Sequence, residues 1–424
     1  MDKNYPHADA AWPVERTSEE RMKDPGKWGA LAARYDDTPR RRMLALDGGG
    51  IRGVLTLSFL KRIEEIVGQP LYQYFDYIGG TSTGAIIAAG LACGMSVDEL
   101  ITFYRDCGPE MFQRTHFLAR FQSLYQNGSL ERKLKATFGS ETTLRLDGVA
   151  GPGGVAGRLK TLLLVVTRNV TTDSPWPISA NPDGAYNDPR LSYSNVNLRL
   201  WQLVRASTAA PIYFPPEVIE CDPGNPARTF VFVDGGVTPY NNPAFLLFRF
   251  ATDPAFNLNW ERGEDKLLLV SVGTGASAEA GATADDPAGN LLSTGISIPT
   301  TLMYGSLVDQ DINCRTIGRC VYGDEIDREM LDMVPRRGPN AGPYAERIAR
   351  PVRPVADNLG RQFLYARYNV DLKAESLNRL GFGAVDPASV KKMDNATPDN
   401  IELLLKIGAA SARQVTRDHF GPFL

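Results

Sequence analysis

Ser82 stands in Gly80-Thr81-Ser82-Thr83-Gly84, after the apolar run Phe75–Ile78 and before the small and apolar residues Ala85–Ala89. Strand, tight turn and helix in that order lift a serine hydroxyl onto a strained turn beside the free N–H groups of a helix start, the setting of a hydrolase nucleophile. Gly80 and Gly84 leave room for the backbone to fold sharply. A serine at an ordinary helix start is the plainer alternative, and the flanking elements weigh against it. A serine nucleophile needs a base, and the chain has three histidines, His7, His116 and His419, none of them in a turn after an expected strand. Asp234, in contrast, ends the strand expected at Phe230–Val233 and precedes Gly235 and Gly236, which permit close backbone approach. A desolvated aspartate bonded directly to a serine can take its proton in the transition state, which favours a Ser82–Asp234 pair. The alternative for Asp234 is a turn aspartate that caps its own loop.

A third glycine turn, Asp47-Gly48-Gly49-Gly50-Ile51-Arg52-Gly53, separates the strand expected at Met43–Leu46 from the helix expected at Val54–Val67. Two readings stay open. Gly48, Gly50 and Gly53 satisfy G-x-G-x-x-G, the dinucleotide fingerprint, but the acidic residue it calls for, Asp76, opens the next strand instead of closing it. Alternatively the N–H groups of Gly48, Gly49 and Gly50 form an oxyanion hole, with Arg52 beside them. About 30 residues separate this turn from Ser82, one βαβ unit, so adjacent parallel strands could bring the two together.

The elements that must position these residues alternate strand and helix, which implies a mostly parallel sheet between helical layers. Further strands are expected at Leu159–Val166 and Lys266–Val272. A turn is expected at Gly79-Gly80, followed by helices over Thr83–Ala92 and from Ser96, capped with Glu99, to Cys107. Residues 148–157, 173–195 and 276–294 read as loops, and Arg40–Arg42 as a solvated strand entrance. The chain divides into an extension over 1–40 with a helix near 18–34, a catalytic domain over 41–280, and a mainly helical region over 281–424 that includes 361–368 and 400–419. With 424 residues, 43% apolar, 22% charged and a net charge of -3, the composition is globular and argues against a dedicated nucleic-acid binder. Five scattered cysteines without C-x-x-C fit neither a disulfide framework nor a zinc site, so no metal is expected. The first forty residues lack a secretory signal and no apolar run reaches the ~18 residues of a membrane span, so a cytoplasmic protein, at most peripheral to a membrane, is expected.

The three turns, together with Arg205-Ala-Ser-Thr-Ala-Ala-Pro211, Tyr213-Phe214-Pro215 and Ser271-Val-Gly-Thr-Gly275, stand in the order and spacing of the patatin-like phospholipases, and the chain resembles bacterial members over about residues 40–280, with weaker similarity at Tyr365–Asn369. The resemblance implies a three-layer α/β/α acyl hydrolase with no metal, cofactor or catalytic histidine. On it, Ser82 is the nucleophile, Asp234 the base, and Gly48, Gly49 and Gly50 with Arg52 the oxyanion hole. Gly53, Gly80, Gly84, Gly235 and Gly236 complete the motifs, and Asn241-Asn242-Pro243 fixes the loop after Asp234. The 205–215 block is structural. The implied partner is a phospholipid or other acyl lipid met at a membrane surface, with no nucleic acid. Three alternatives remain: a nucleotide- or partner-regulated membrane-degrading effector of the same fold, a Ser82–Asp234–His419 esterase, and a non-enzymatic module binding a nucleotide at Gly48–Gly53. Phe112, Phe117, Leu118, Phe121, Leu124 and Tyr125 suggest a lid, or simply buried core.

Overall fold

The computed structural model describes residues 22–36, 39–112, 128–149, 154–211, 214–276, 291–323 and 360–424. His7, His116, Tyr213 and most of the lid candidate, 113–125, lie outside them, as do the first 21 residues. Among the described residues nine strands form one mixed sheet: β1 (Arg41–Leu46), β2 (Tyr77–Thr81), β3 (Leu162–Asn169), β4 (Ser174–Ser179), β5 (Glu217–Glu220), β6 (Thr229–Asp234), β7 (Leu267–Val272), β8 (Arg319–Tyr322) and β9 (Leu364–Tyr368). Their order is β5-β6-β3-β2-β1-β7-β9-β8, with β4 also on β3. β2, β7 and β9 are buried at every position and β1 at all but Arg42, as in parallel strands covered on both faces.

The longer helices are α1 (Gly53–Val67), α2 (Thr83–Ala92), α3 (Val97–Phe112), α4 (Gly128–Phe138), α5 (Leu200–Ser207), α6 (Ala244–Thr252), α7 (Leu291–Ile317) and α8 (Pro398–Ala412). Two adjacent glycines of β2 locate the layers. A Cβ on Gly79 would meet Leu247 of α6 at 3.2 Å, and one on Gly80 would meet the Gly84 carbonyl of α2 at 2.1 Å. Successive strand residues face opposite ways, so α2 and α6 cover opposite faces and the fold has three layers, α/β/α. Ser96 and Glu99 form the expected capping box of α3: the Glu99 N–H donates to Ser96 Oγ at 3.2 Å and the Ser96 N–H to Glu99 Oε2 at 2.7 Å.

Several expectations are corrected. Gly79 and Gly80 lie within β2, and the turn comes at Ser82. Residues 174–179, read as loop, form β4, antiparallel to β3, where Pro175 and Pro177 are tolerated because the other edge of β4 pairs with no strand among the described residues. Residues 364–368, read as helix, form β9 between β7 and β8. Arg41 is buried, with its guanidinium on the carbonyls of Arg34 and Asp36, so the basic cluster is not simply solvated. The helix expected near 18–34 is, over the described part, three short turns between Pro25 and Tyr35.

Candidate active site

The topology brings Ser82 and Asp234 together. β2 runs parallel to β3 with Thr81 opposite Val166, and β6 runs antiparallel to β3 with Asp234 opposite Thr167. Because β4 takes the other edge of β3 from Leu164 to Asn169, β2 and β6 share one edge and meet there end to end, carboxyl terminus to carboxyl terminus. Ser82 Oγ donates to Asp234 Oδ2 at 2.6 Å, and both residues are buried, at 8% and 5% exposure.

Ser82 has φ 54° and ψ -124°, a left-handed conformation that costs a non-glycine residue roughly 1–3 kcal/mol and that the surroundings must impose. They do so at several points. A Cβ on Gly84 would stand 2.3 Å from the Leu46 carbonyl, so only glycine lets α2 start this close to β1. The Ser82 N–H donates to Ser207 Oγ at 2.9 Å, and Ser207 Oγ donates to the Val166 carbonyl at 2.7 Å. Thr83 Oγ1 and the Tyr104 hydroxyl pair beside them. All ten residues of α2 are buried, and its N-terminal dipole faces Ser82.

Asp234 is held as firmly. Its N–H donates to the Ala209 carbonyl at 3.0 Å and its Oδ1 accepts from the Gly236 N–H at 2.7 Å. Gly235 packs so tightly on β3 that a Cβ would meet the Val166 carbonyl at 2.3 Å. Burial pushes the carboxyl up to about 6, while the Ser82 hydroxyl, the Gly236 N–H and the charge of Arg205 pull it back. A carboxylate of this basicity, bonded to a serine hydroxyl, is suited to general-base work near neutrality.

The glycine turn after β1 lies alongside. A Cβ on Gly48 would come within 3.2 Å of Ser82 Cβ, and one on Gly53 within 2.5 Å of Thr83 Oγ1. Gly48 is not a free donor, since its N–H donates to the Asn241 carbonyl at 3.0 Å. Among the described residues the amides of Gly49 and Gly50 have no acceptor, which leaves these two open to an oxyanion. Arg52 Nε is 3.5 Å from the Gly49 carbonyl, bracing the turn from within. Asp76 sits at the other end of the sheet, accepting from the Arg42 N–H and paired with Arg34, so the turn lacks the acidic partner of a dinucleotide site. His419 bonds the Tyr368 hydroxyl at 3.0 Å and stacks on Tyr322, and among the described residues it contacts neither Ser82 nor Asp234.

Two residues tied to the site by hydrogen bonds, Ser207 and Arg367, are not singled out by the sequence. Ser207 lies in the block read as structural packing, and only its position opposite Ser82 reveals its hydrogen bonds. Arg367, in the region read as helical, forms a buried bidentate pair with Asp47, Nη1 to Oδ1 at 2.8 Å and Nη2 to Oδ2 at 2.5 Å. Asn241 Oδ1 is buried between Gly48 and Gly236 with no hydrogen-bond donor among the described residues.

Residues 44–248 match the family described as patatin-like phospholipase. The chain is 30% identical over 250 residues to the cUMP-AMP-activated phospholipase of Escherichia coli, covering 59% of this chain and 69% of that one. It is 30% identical over 224 residues to the cGAMP-activated phospholipase of Escherichia coli (strain TW11681), covering 50% and 55%, and 28% identical over 261 residues to patatin group J-1 of Solanum tuberosum, covering 56% and 61%. The chain thus spans little more than half the length of the latter two. An identity of 30% sustained over more than two thirds of a relative, with the matched segment carrying all three glycine turns, shows that this chain belongs to the patatin-like phospholipase family.

Proposed function

We propose that the chain is a lipid acyl hydrolase of phospholipase A type that cleaves fatty acyl esters through Ser82 and Asp234 by way of an acyl-enzyme. One observation carries the reading: the 2.6 Å hydrogen bond from Ser82 Oγ to the buried Asp234 carboxylate on a turn with positive φ. Asp234 accepts the hydroxyl proton as Ser82 attacks the ester carbonyl. Negative charge gathers on the carbonyl oxygen, and the free amides of Gly49 and Gly50 and the N-terminus of α2 stabilise it. Collapse expels the alcohol, which takes the proton back from Asp234. Water, deprotonated by the same carboxylate, then releases the fatty acid and restores the serine. The chemistry needs neither metal nor histidine, and the substrate is an acyl lipid presented at a membrane surface. No helix among the described residues is long and apolar enough to cross a membrane, which suits a protein that meets the bilayer peripherally from the cytoplasm. In this reading the catalytic unit extends beyond residues 41–280, because β9 completes the sheet beside β7.

Mass spectrometry of the products from mixed phospholipid vesicles tests the reaction. Wild type is expected to release fatty acid and lysophospholipid, and Ser82→Ala and Asp234→Ala to release neither. Hydrolysis by both folded variants would defeat the proposal. A second reading adds a nucleotide switch to the same hydrolase, and the printed names of the two Escherichia coli relatives favour it. Hydrolysis measured with and without cyclic dinucleotides checks it, and equal rates would remove it.

A further inference from the structure

Arg367 places a charge in a strand whose other residues, Leu364, Tyr365, Ala366 and Tyr368, are all buried, and is itself 4% exposed. Its guanidinium forks onto both oxygens of Asp47, and Nη1 also donates to Ser271 Oγ at 2.6 Å. Ser271 Oγ in turn donates to Asn242 Oδ1 at 3.2 Å. One side chain therefore joins the turn after β1, the strand β7 and the turn after β6. Burial alone would weaken its hold on the proton, but Asp47 beside it more than compensates, so Arg367 stays cationic. A planar fork fixes both the position and the plane of a carboxylate, which a point charge does not.

Stability does not account for the pair. Replacing a buried ion pair with apolar groups of similar volume commonly leaves a protein as stable or more so. What the pair achieves is to fix Asp47, which adjoins Gly48. The same turn is tied again where Thr274 Oγ1 donates to the Gly48 carbonyl at 2.9 Å and where the Ile51 N–H donates to the Met393 carbonyl at 2.9 Å. Gly49 and Gly50 lie between these anchors. All three, Arg367, Thr274 and Met393, come from beyond the segment 44–248 that matches the family.

We propose that Arg367 is a positioning residue for hydrolysis, whose fork on Asp47 holds the Gly49 and Gly50 amides where the oxyanion forms. The proposal rests on the reading of Ser82 and Asp234 as the reacting pair, and Arg367 acts through Asp47 without touching the substrate. The test measures kcat and KM with a soluble p-nitrophenyl acyl ester, the pH profile and the melting temperature for wild type, Arg367→Lys, the double variant Asp47→Leu/Arg367→Met, and Ser82→Ala as the inactive reference. Arg367→Lys is expected to lower kcat about 100-fold, as loss of an oxyanion donor does, with KM within about threefold. Its pH midpoint stays near 6, because the surroundings of Asp234 are unchanged. The apolar double variant is expected to melt no lower than wild type and to be equally slow. Wild-type kcat in Arg367→Lys, or in a folded double variant, overturns the proposal. Should Arg367→Lys fail to fold, the double variant decides. Activity retained by Ser82→Ala would instead defeat the catalytic reading, so the two failures are distinguishable.

Discussion

Asp234 carries opposite demands. Above about pH 6 its carboxyl is ionised and can take the Ser82 proton, and below that it is protonated and the pair is idle. kcat/KM is therefore expected to rise about tenfold per pH unit on the acid side and to level off above about 6. The same shift acts on stability with the other sign. With a folded-state value raised above the unfolded ~3.9, the folded chain keeps a proton that the unfolded chain has released, so stability falls as pH rises from about 4 to about 6. Above that window the buried carboxylate costs up to about 3 kcal/mol. Asp234→Asn should then reduce hydrolysis by about 10³-fold or more while melting higher than wild type at pH 8, with little difference at pH 4. Calorimetry at the two pH values checks this, and an Asn variant that melts lower at pH 8 would contradict it. Ser207→Ala removes the acceptor of the Ser82 N–H and the donor to Val166, and should cost about 1–3 kcal/mol in a denaturant titration along with a loss of kcat.

At the scale of elements, the sequence reveals most where local pattern and tertiary role agree. β1 with α1 and β2 with α2 each combine an apolar run, a glycine turn and a helix, periodic in α1 and apolar throughout in α2, and the site residues they carry are legible for that reason. β4 was not, because its alternating prolines give it a loop's composition, and they are harmless only because its second edge pairs with no strand among the described residues. β9 was not, because a short apolar and aromatic run has no period that separates strand from buried helix. The close packing of α2 supplies a contrast. In Gly84→Ala the added methyl would meet the Leu46 and Asp47 carbonyls at 2.3 and 2.7 Å, so α2 must lift from β1, and a loss of about 3 kcal/mol or of soluble protein is expected. Gly68→Ala, with φ 68° but open space, should cost only about 1–2 kcal/mol. Equal losses in the two variants, measured by urea unfolding, would show that packing against the β1 carbonyls is not what Gly84 serves.

At the scale of the molecule, the C-terminal residues are part of the sheet. β9 pairs with β7 from Leu268 to Val272, and Arg367 lies 320 positions from the Asp47 it holds, a separation at which no sequence pattern links two residues. A fragment ending at residue 280 would bare the β7 edge and leave the Asp47 carboxylate buried without its counter-charge, a change that costs about 3–5 kcal/mol by itself. Such a fragment is expected to aggregate or to elute expanded on size exclusion, and a compact, hydrolytically active fragment would refute this. The end-to-end meeting of β2 and β6 sets a different limit, on how the chain can vary. Thr81, which precedes Ser82, and Asp234 are paired with neighbouring residues of β3, Val166 and Thr167. The surface loops between Ser82 and Asp234, across a sequence separation of 152, can therefore lengthen or shrink without changing their spacing. One residue inserted into β3 at that junction, in contrast, would displace one half of the site from the other by a strand step of about 3.3 Å, more than the hydrogen bond they share can span.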